Sequence, residues 1–339
     1  MGHDFPRTLL DFQRMFPDET ACATYLENLR WPDGFGCPEC KVKGKPYRLR
    51  ARPTVLECRR CGCQTSLTAG TVMHRTRTPL QVWFWAAYLV TSQTPGMSAV
   101  QFQRQLGISR YETAFQMLHK LRAAMIRPDR DRIGGEYVVE VDEAEVGGQT
   151  RGEGRGVHHM ATVVGAVEVR RGNPEEIRRK RKTQTRKRRL GQPVRGETYA
   201  GRLRLRHVPN RGSLALTSFI QESVAPKTTV LTDGWQGYDT LKRLGYDHES
   251  AVVGGNPEIL DAVLPLIHLV FSNLKAWLLG THHGVSHRHL QAYLNEYVFR
   301  FNRRFYPMGM FNRVLDIAAR TQGPTYAALY EGGWRHPKG

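Results

Sequence analysis

Two pairs of cysteines, Cys37-Pro-Glu-Cys40 and Cys58-Arg-Arg-Cys61, stand seventeen residues apart in a chain of 339. Four thiolates on two such turns suit a closed tetrahedral Zn²⁺ with sulfur ligands at about 2.3 Å, and the gap is that of a zinc ribbon. Gly34 and Gly36 before the first pair and Gly62 after the second supply the turns. Chance thiol pairs or disulfides are the competing reading. Cys63 could compete as a ligand but breaks the paired spacing, and Cys22, in an expected helix, reads as a small buried hydrophobe.

A second chemistry is written in carboxylates. Asp142 lies within Val138-Val139-Glu140-Val141-Asp142-Glu143, an acid on an apolar, β-branched strand. A buried strand carboxylate needs a charge partner or a metal. The nearby acids Glu140, Glu143 and Glu145 make a divalent cation the more natural partner. Val230-Leu231 runs into Asp233-Gly234-Trp235, a strand that delivers another carboxylate at its end, although Asp-Gly there is also a plain turn. Oxygen ligands from two strands, with water and phosphate completing the shell, suit Mg²⁺, and two such ions can drive in-line phosphodiester displacement.

The elements that must position these groups follow from periodicity. Apolar spacing over residues 8–30 predicts one or two helices before the ribbon, which ends near Ser66. Pro79 opens a helix whose Trp83, Phe84, Trp85 and Tyr88 read as core and not as a base-stacking platform. Residues 98–126 outline two helices about Gly107-Ile108-Ser109, with Ser109 and Glu112 as a capping box. A helix-turn-helix and an ordinary αα-hairpin both fit this outline; the basic composition and the neighbouring ribbon favour DNA. From Glu136 the pattern becomes that of strands, at 137–141 and 161–169, then Arg202–Val208 as an edge-type strand with one basic face, and a helix over 214–224. Pro265 starts an apolar helix to about Leu279, and His287–Arg304 is a basic helical segment.

Fifty Lys and Arg against thirty-one Asp and Glu give a net charge of +19, which calls for a polyanionic partner, nucleic acid first. The membrane alternative lacks an apolar run near the roughly 20 residues of a spanning helix. Met1-Gly2-His3-Asp4 opens no apolar signal core, and thiols arranged for metal point to a reducing cytoplasm. Nine of the twelve residues from 178 to 189 are basic: Arg178, Arg179, Lys180, Arg181, Lys182, Arg186, Lys187, Arg188 and Arg189. Such a run reads as a phosphate-contacting arm, against a merely solubilising insertion.

Several stretches together resemble bacterial insertion-sequence transposases of the ISXO2-like group. They are Leu29–Gly34 leading into the ribbon, Thr68–Thr71, Val139–Glu143 with Val146–Gly148, Thr232–Gly234, Asn273–Lys275 with Trp277, Gly280–His282 and Phe299–Arg304. The resemblance covers nearly the whole chain. It implies a multidomain protein: a helical and zinc-ribbon module (1–70), an α-helical helix-turn-helix segment (71–130), and an α/β RNase H-like catalytic domain (135–310) with a basic insertion (171–206) and a tail (311–339). It further implies Mg²⁺- or Mn²⁺-dependent cleavage of double-stranded transposon ends, joining to target DNA, and work as a homo-oligomer on DNA without a membrane. Asp142 and Asp233 would be the magnesium-binding acids.

No Glu stands at the third position of the family's acidic triad. His268, thirty-five residues after Asp233, takes that place, with Lys275 seven residues further as the basic partner; Asn273 is the other candidate. Imidazole departs from the hard-oxygen preference of Mg²⁺, which leans the expectation toward Mn²⁺ or a weakly held second ion. A core histidine, and an inactive copy, fit the same substitution. Arg110, Lys120, Arg300, Arg303 and Arg304 join the basic arm as expected DNA contacts. The rivals are a non-catalytic DNA-binding regulator and an RNase H-like nuclease that cuts without joining.

Overall fold

The computed structural model describes residues 5–127, 130–147, 160–172, 198–251 and 263–331. They form two compact units, one made of residues up to 129 together with those from 295 onward, the other of residues 130–294.

The first unit begins with α1 (Leu9–Met15) and α2 (Glu19–Arg30). Thr8 and Asp11 form a reciprocal capping box on α1, and the Asp18 side chain caps α2. A small antiparallel sheet follows, β1 (Tyr47–Leu49), β2 (Arg52–Glu57) and β3 (Gln64–Ser66), in that order. Arg30, in the last turn of α2, donates to the carbonyls of Ser66, Leu67 and Ala69, which fastens the exit of this sheet to the helix. Next comes α3 (Leu80–Ser92). Its Pro79 cap offers no side-chain acceptor, and Glu19 fills that role by accepting from the backbone of Leu80 and Gln81 at 2.8 and 2.9 Å.

Helices α4 (Ala99–Gln105) and α5 (Tyr111–Ala123) complete this segment. The expected capping box of Ser109 and Glu112 does not form: the cap is Arg110, without a side-chain bond, and the Ser109 carbonyl accepts from Gln103. The second half of α5 is enclosed. Met117 through Ala123 are all buried, so this half is a core element and not a free helix face.

The second unit is built on a five-stranded sheet: β4 (Val138–Gly147), β5 (Met160–Arg171), β6 (Thr198–His207), β7 (Thr229–Asp233) and β8 (Asp247–Ala251), in the order β6-β5-β4-β7-β8. The pairs β4–β5 and β5–β6 are antiparallel, while β7 pairs parallel with both β4 and β8. A mixed α/β sheet of this kind is consistent with an RNase H-like domain. Helix α6 (Ser213–Ser223) covers one face, where Val139, Val141, Val164, Leu216, Phe219 and Ile220 share a core. Helix α7 (Pro265–Trp277), extended by a π turn through His282, meets the other. Opposite Asp142 in register stands Gly165. A Cβ there would lie 2.8 Å from Ile267 Cδ1 and 3.0 Å from Phe271 Cζ, so a larger residue would force side chains of α7 to shift beside Asp142.

Strand β6 differs from the expected insertion: residues 198–206 are sheet, paired along β5, so the insertion as drawn at 171–206 overlaps the core. Its basic face is turned inward. Arg204 donates to the carbonyls of Leu203 and Asp131, and Arg206 to Glu222, over the Phe219 ring.

Helix α8 (Leu290–Asn302) carries the chain back to the first unit, followed by α9 (Met310–Arg320) and α10 (Tyr326–Glu331). Residues 311–320 are therefore not a tail. Phe311 packs its ring against Phe12, Phe16, Phe84 and Tyr88, and Val314, Leu315 and Ala318 are fully enclosed.

Candidate active site

Parallel pairing of β4 with β7 matches Val139 to Val230 and Glu140 to Leu231. The same offset of 91 brings Asp142 level with Asp233. Carboxylate oxygens of Asp142, Glu143 and Asp233 lie within 4.8 Å of one another. Burial raises the Asp233 carboxyl above its ordinary value, and the Asp142 charge adds to this against the Trp235 amide and Arg211. Such crowding of acids in a partly desolvated place is relieved by a cation. The donor set is all hard oxygen, which fits Mg²⁺ or Mn²⁺, and Asp142 and Asp233 would hold it.

Glu143 was not expected at this site. Strand alternation sends it to the face opposite Asp142, where it accepts from Arg211 Nε at 2.9 Å and Nη2 at 2.5 Å and from the Tyr238 hydroxyl at 2.5 Å. With those donors in place it buttresses the end of β4 and supplies an oxygen behind the two aspartates. The only signal for it was its place beside Asp142.

Glu140, on the same face as Asp142, accepts from the backbone of Leu266 and Ile267 at 2.9 and 2.8 Å. It thereby caps the start of α7. Its carboxyl is pushed up to about 7, chiefly by burial.

The two candidates for the third position part company in space. His268 Nε2 lies 3.2 Å from Asp142 Oδ2. Asn273 is exposed, and five residues of helix place it about 140° around α7 from His268. Lys275 is exposed and, seven residues on, returns to within about 20° of the His268 side.

In the first unit, Cys37, Cys40, Cys58 and Cys61 form one cluster. Sγ atoms of Cys37 and Cys61, and of Cys40 and Cys58, are 3.6 Å apart, close to the roughly 3.8 Å edge of a tetrahedron with 2.3 Å zinc–sulfur bonds. Although burial opposes it, backbone N–H groups of Cys40 and Glu39 draw the Cys37 thiol down, as those of Cys61 and Arg60 draw down Cys58. Cys63 stays outside the cluster, beside Thr65.

The expected DNA contacts divide. Arg110 is exposed at the start of α5. Lys120 is buried, its Nζ 3.4 Å from the His74 carbonyl and over the Trp83 ring, so packing and not phosphate holds it. Arg300 is taken up by Glu296 and by the carbonyls of Gln93 and Val90. Arg303 stacks on Phe299, and Arg304 on Phe301 and Phe305. Residues 178–189 lie outside the described residues.

Residues 132–302 match the ISXO2-like transposase domain, half of the chain, and residues 17–64 match the transposase zinc-ribbon domain. The chain belongs to the ISXO2-like transposases. As a member of this family it is also 26% identical, over 309 residues, to an uncharacterized protein in transposable element ISH50 of Halobacterium salinarum, covering 85% of this chain and 92% of that one. No solved structure matches it. Among the described residues of this transposase, no helix is long and apolar enough to cross a membrane.

Proposed function

We propose that this chain is an insertion-sequence transposase that binds element ends and carries out metal-dependent DNA cleavage and strand transfer. The observation that carries the reading is the level placement of Asp142 and Asp233 on adjacent parallel strands. A bound Mg²⁺ or Mn²⁺ would activate the attacking hydroxyl and stabilise the departing oxygen of the phosphodiester. The two aspartates would hold that charge, and Glu143, fixed by Arg211 and Tyr238, keeps the end of β4 rigid. His268 stands beside Asp142 on the face where a triad acid would be, as a ligand or as a proton acceptor for the nucleophile. Lys275 contacts the DNA phosphate, and water and then the 3′-hydroxyl attack in line.

The experiment is a strand-transfer assay on labelled element-end DNA in Mg²⁺ and in Mn²⁺, with Asp142→Ala, Asp233→Ala, His268→Ala and Asn273→Ala. Joined products lost in the first three variants and kept in the fourth support the reading. A second reading rests on the 3.2 Å approach of His268 to Asp142. An imidazole engaged with that acid in place of a metal would leave a DNA-binding regulator. Binding without cleavage in either metal would favour it, and cleavage without joining would favour a nuclease.

A further inference from the structure

Beside Asp233, an aromatic ring is locked in place and left open. The Trp235 backbone N–H donates to Asp233 Oδ1 at 3.1 Å, and its indole Nε1–H donates to the Arg211 carbonyl at 3.1 Å. The Arg211 guanidinium stands 5.2 Å from the ring centroid while it binds Glu143. Gly237 completes the cradle: a Cβ there would lie 2.8 Å from both Cδ1 and Nε1 of the indole. Despite all this, Trp235 is 43% exposed and the Arg211 side chain 46%.

Exposure alone says little, since Leu214 is more exposed still. What separates Trp235 is the combination. Its polar atom is satisfied internally, so the ring has no need of solvent, and its rotamer is fixed by an arginine, a carbonyl and a glycine. It sits two residues from one of the acids that would hold the metal. A rigid, half-exposed indole with a half-exposed guanidinium over its ring matches one ligand chemistry well: a nucleobase out of its stack, with its phosphate near the cation.

We propose that Trp235, held by Arg211 and Gly237, is the stacking platform for an unpaired nucleobase adjoining the phosphodiester at Asp142 and Asp233. This rests on the reading of the site as one that acts on DNA. It adds a preference for strand ends or frayed ends over closed duplex, because a base within a duplex already has both faces stacked.

The test is fluorescence anisotropy with two fluorescein-labelled DNA hairpins that share a stem, one blunt and one with a four-nucleotide 3′ tail, without added divalent ion. The natural protein is expected to bind the tailed probe more tightly. Trp235→Ala should lose about tenfold on the tailed probe, the size of one base–aromatic stack, and little on the blunt one. Trp235→Phe should stay within about threefold, and Gly237→Ala should resemble Trp235→Ala. A Trp235→Ala protein that retains this preference, or that loses both probes equally, overturns the platform. So does a natural protein that binds both probes alike, which leaves the transposase reading standing. A natural protein that binds neither removes the DNA-acting reading and the platform together.

Discussion

Glu140 and Ile267 join the strand of Asp142 to the helix of His268: one carboxylate oxygen of Glu140 takes the backbone N–H of Ile267 at 2.8 Å, and that of Leu266 at 2.9 Å. The helix has Pro265 at its first turn and no side-chain cap of its own. The 3.2 Å approach of His268 to Asp142 is thus set two residues along β4. Glu140→Ala should cost about 1–3 kcal/mol, the range for leaving buried hydrogen-bonding groups without their partner, and should lower strand transfer more than it lowers DNA binding. Glu140→Gln, which keeps an acceptor, should recover part of both. Thermal melting and the joining assay read this out, and an alanine variant as active as the natural chain would refute it.

Arg122 and Glu296 form an ion pair at 2.8 Å with both side chains 1% exposed, and Glu296 also accepts from Arg300. Removing one member strands a buried charge. Glu296→Ala alone should cost about 3–5 kcal/mol, whereas Arg122→Met with Glu296→Leu should cost clearly less. Denaturant titration of the single and double variants measures the difference; equal losses would show that burial of charge is not what matters there.

The four cysteines should bind one Zn²⁺ per chain. Cys58→Ser or prolonged chelation should release it and destabilise residues 37–66, detected as faster amide exchange in that stretch. Metal content by atomic absorption would decide the matter, and a full zinc complement in Cys58→Ser would refute the ligand assignment.

Glu168 is fully enclosed. Burial alone would raise its carboxyl, but Arg202, through its side chain and backbone, Gly134 and Arg170 together hold it below the usual 4.5. A depressed carboxylate stabilises the fold above its unfolded value, and the gain disappears as pH falls through the folded value. The melting temperature of the natural protein should therefore exceed that of Glu168→Gln at neutral pH, and the gap should shrink well below pH ~4.5. A gap that does not change with pH would argue against this account.

Local pattern carried the ribbon and the strand positions of both aspartates, since cysteine spacing and β-branched runs are set by short-range geometry. What it missed was decided at a distance. Ser109 and Glu112 have the sequence of a capping box, yet Gln103 reaches the Ser109 carbonyl and Arg110 takes the cap. Lys120 looked like a surface charge until Trp83 and the His74 carbonyl enclosed it. Glu143 joined the site because the end of β4 brings both faces within reach of Asp233, which alternation by itself argues against. The role of 311–320 could not be read locally, because its partners Phe12 and Phe84 are more than two hundred residues earlier.

The first unit is split in the chain, with the second unit's residues 130–294 between its two parts. Synthesis proceeds from the N-terminus and domains fold as they emerge. On the ribosome, the aromatic cluster around Phe12 and Phe84 can be completed only once Phe311 emerges, while the sheet bearing Asp142 and Asp233 can already close. The unit begun first is the last to be finished, and during that interval the apolar surface that α9 will cover stays uncovered.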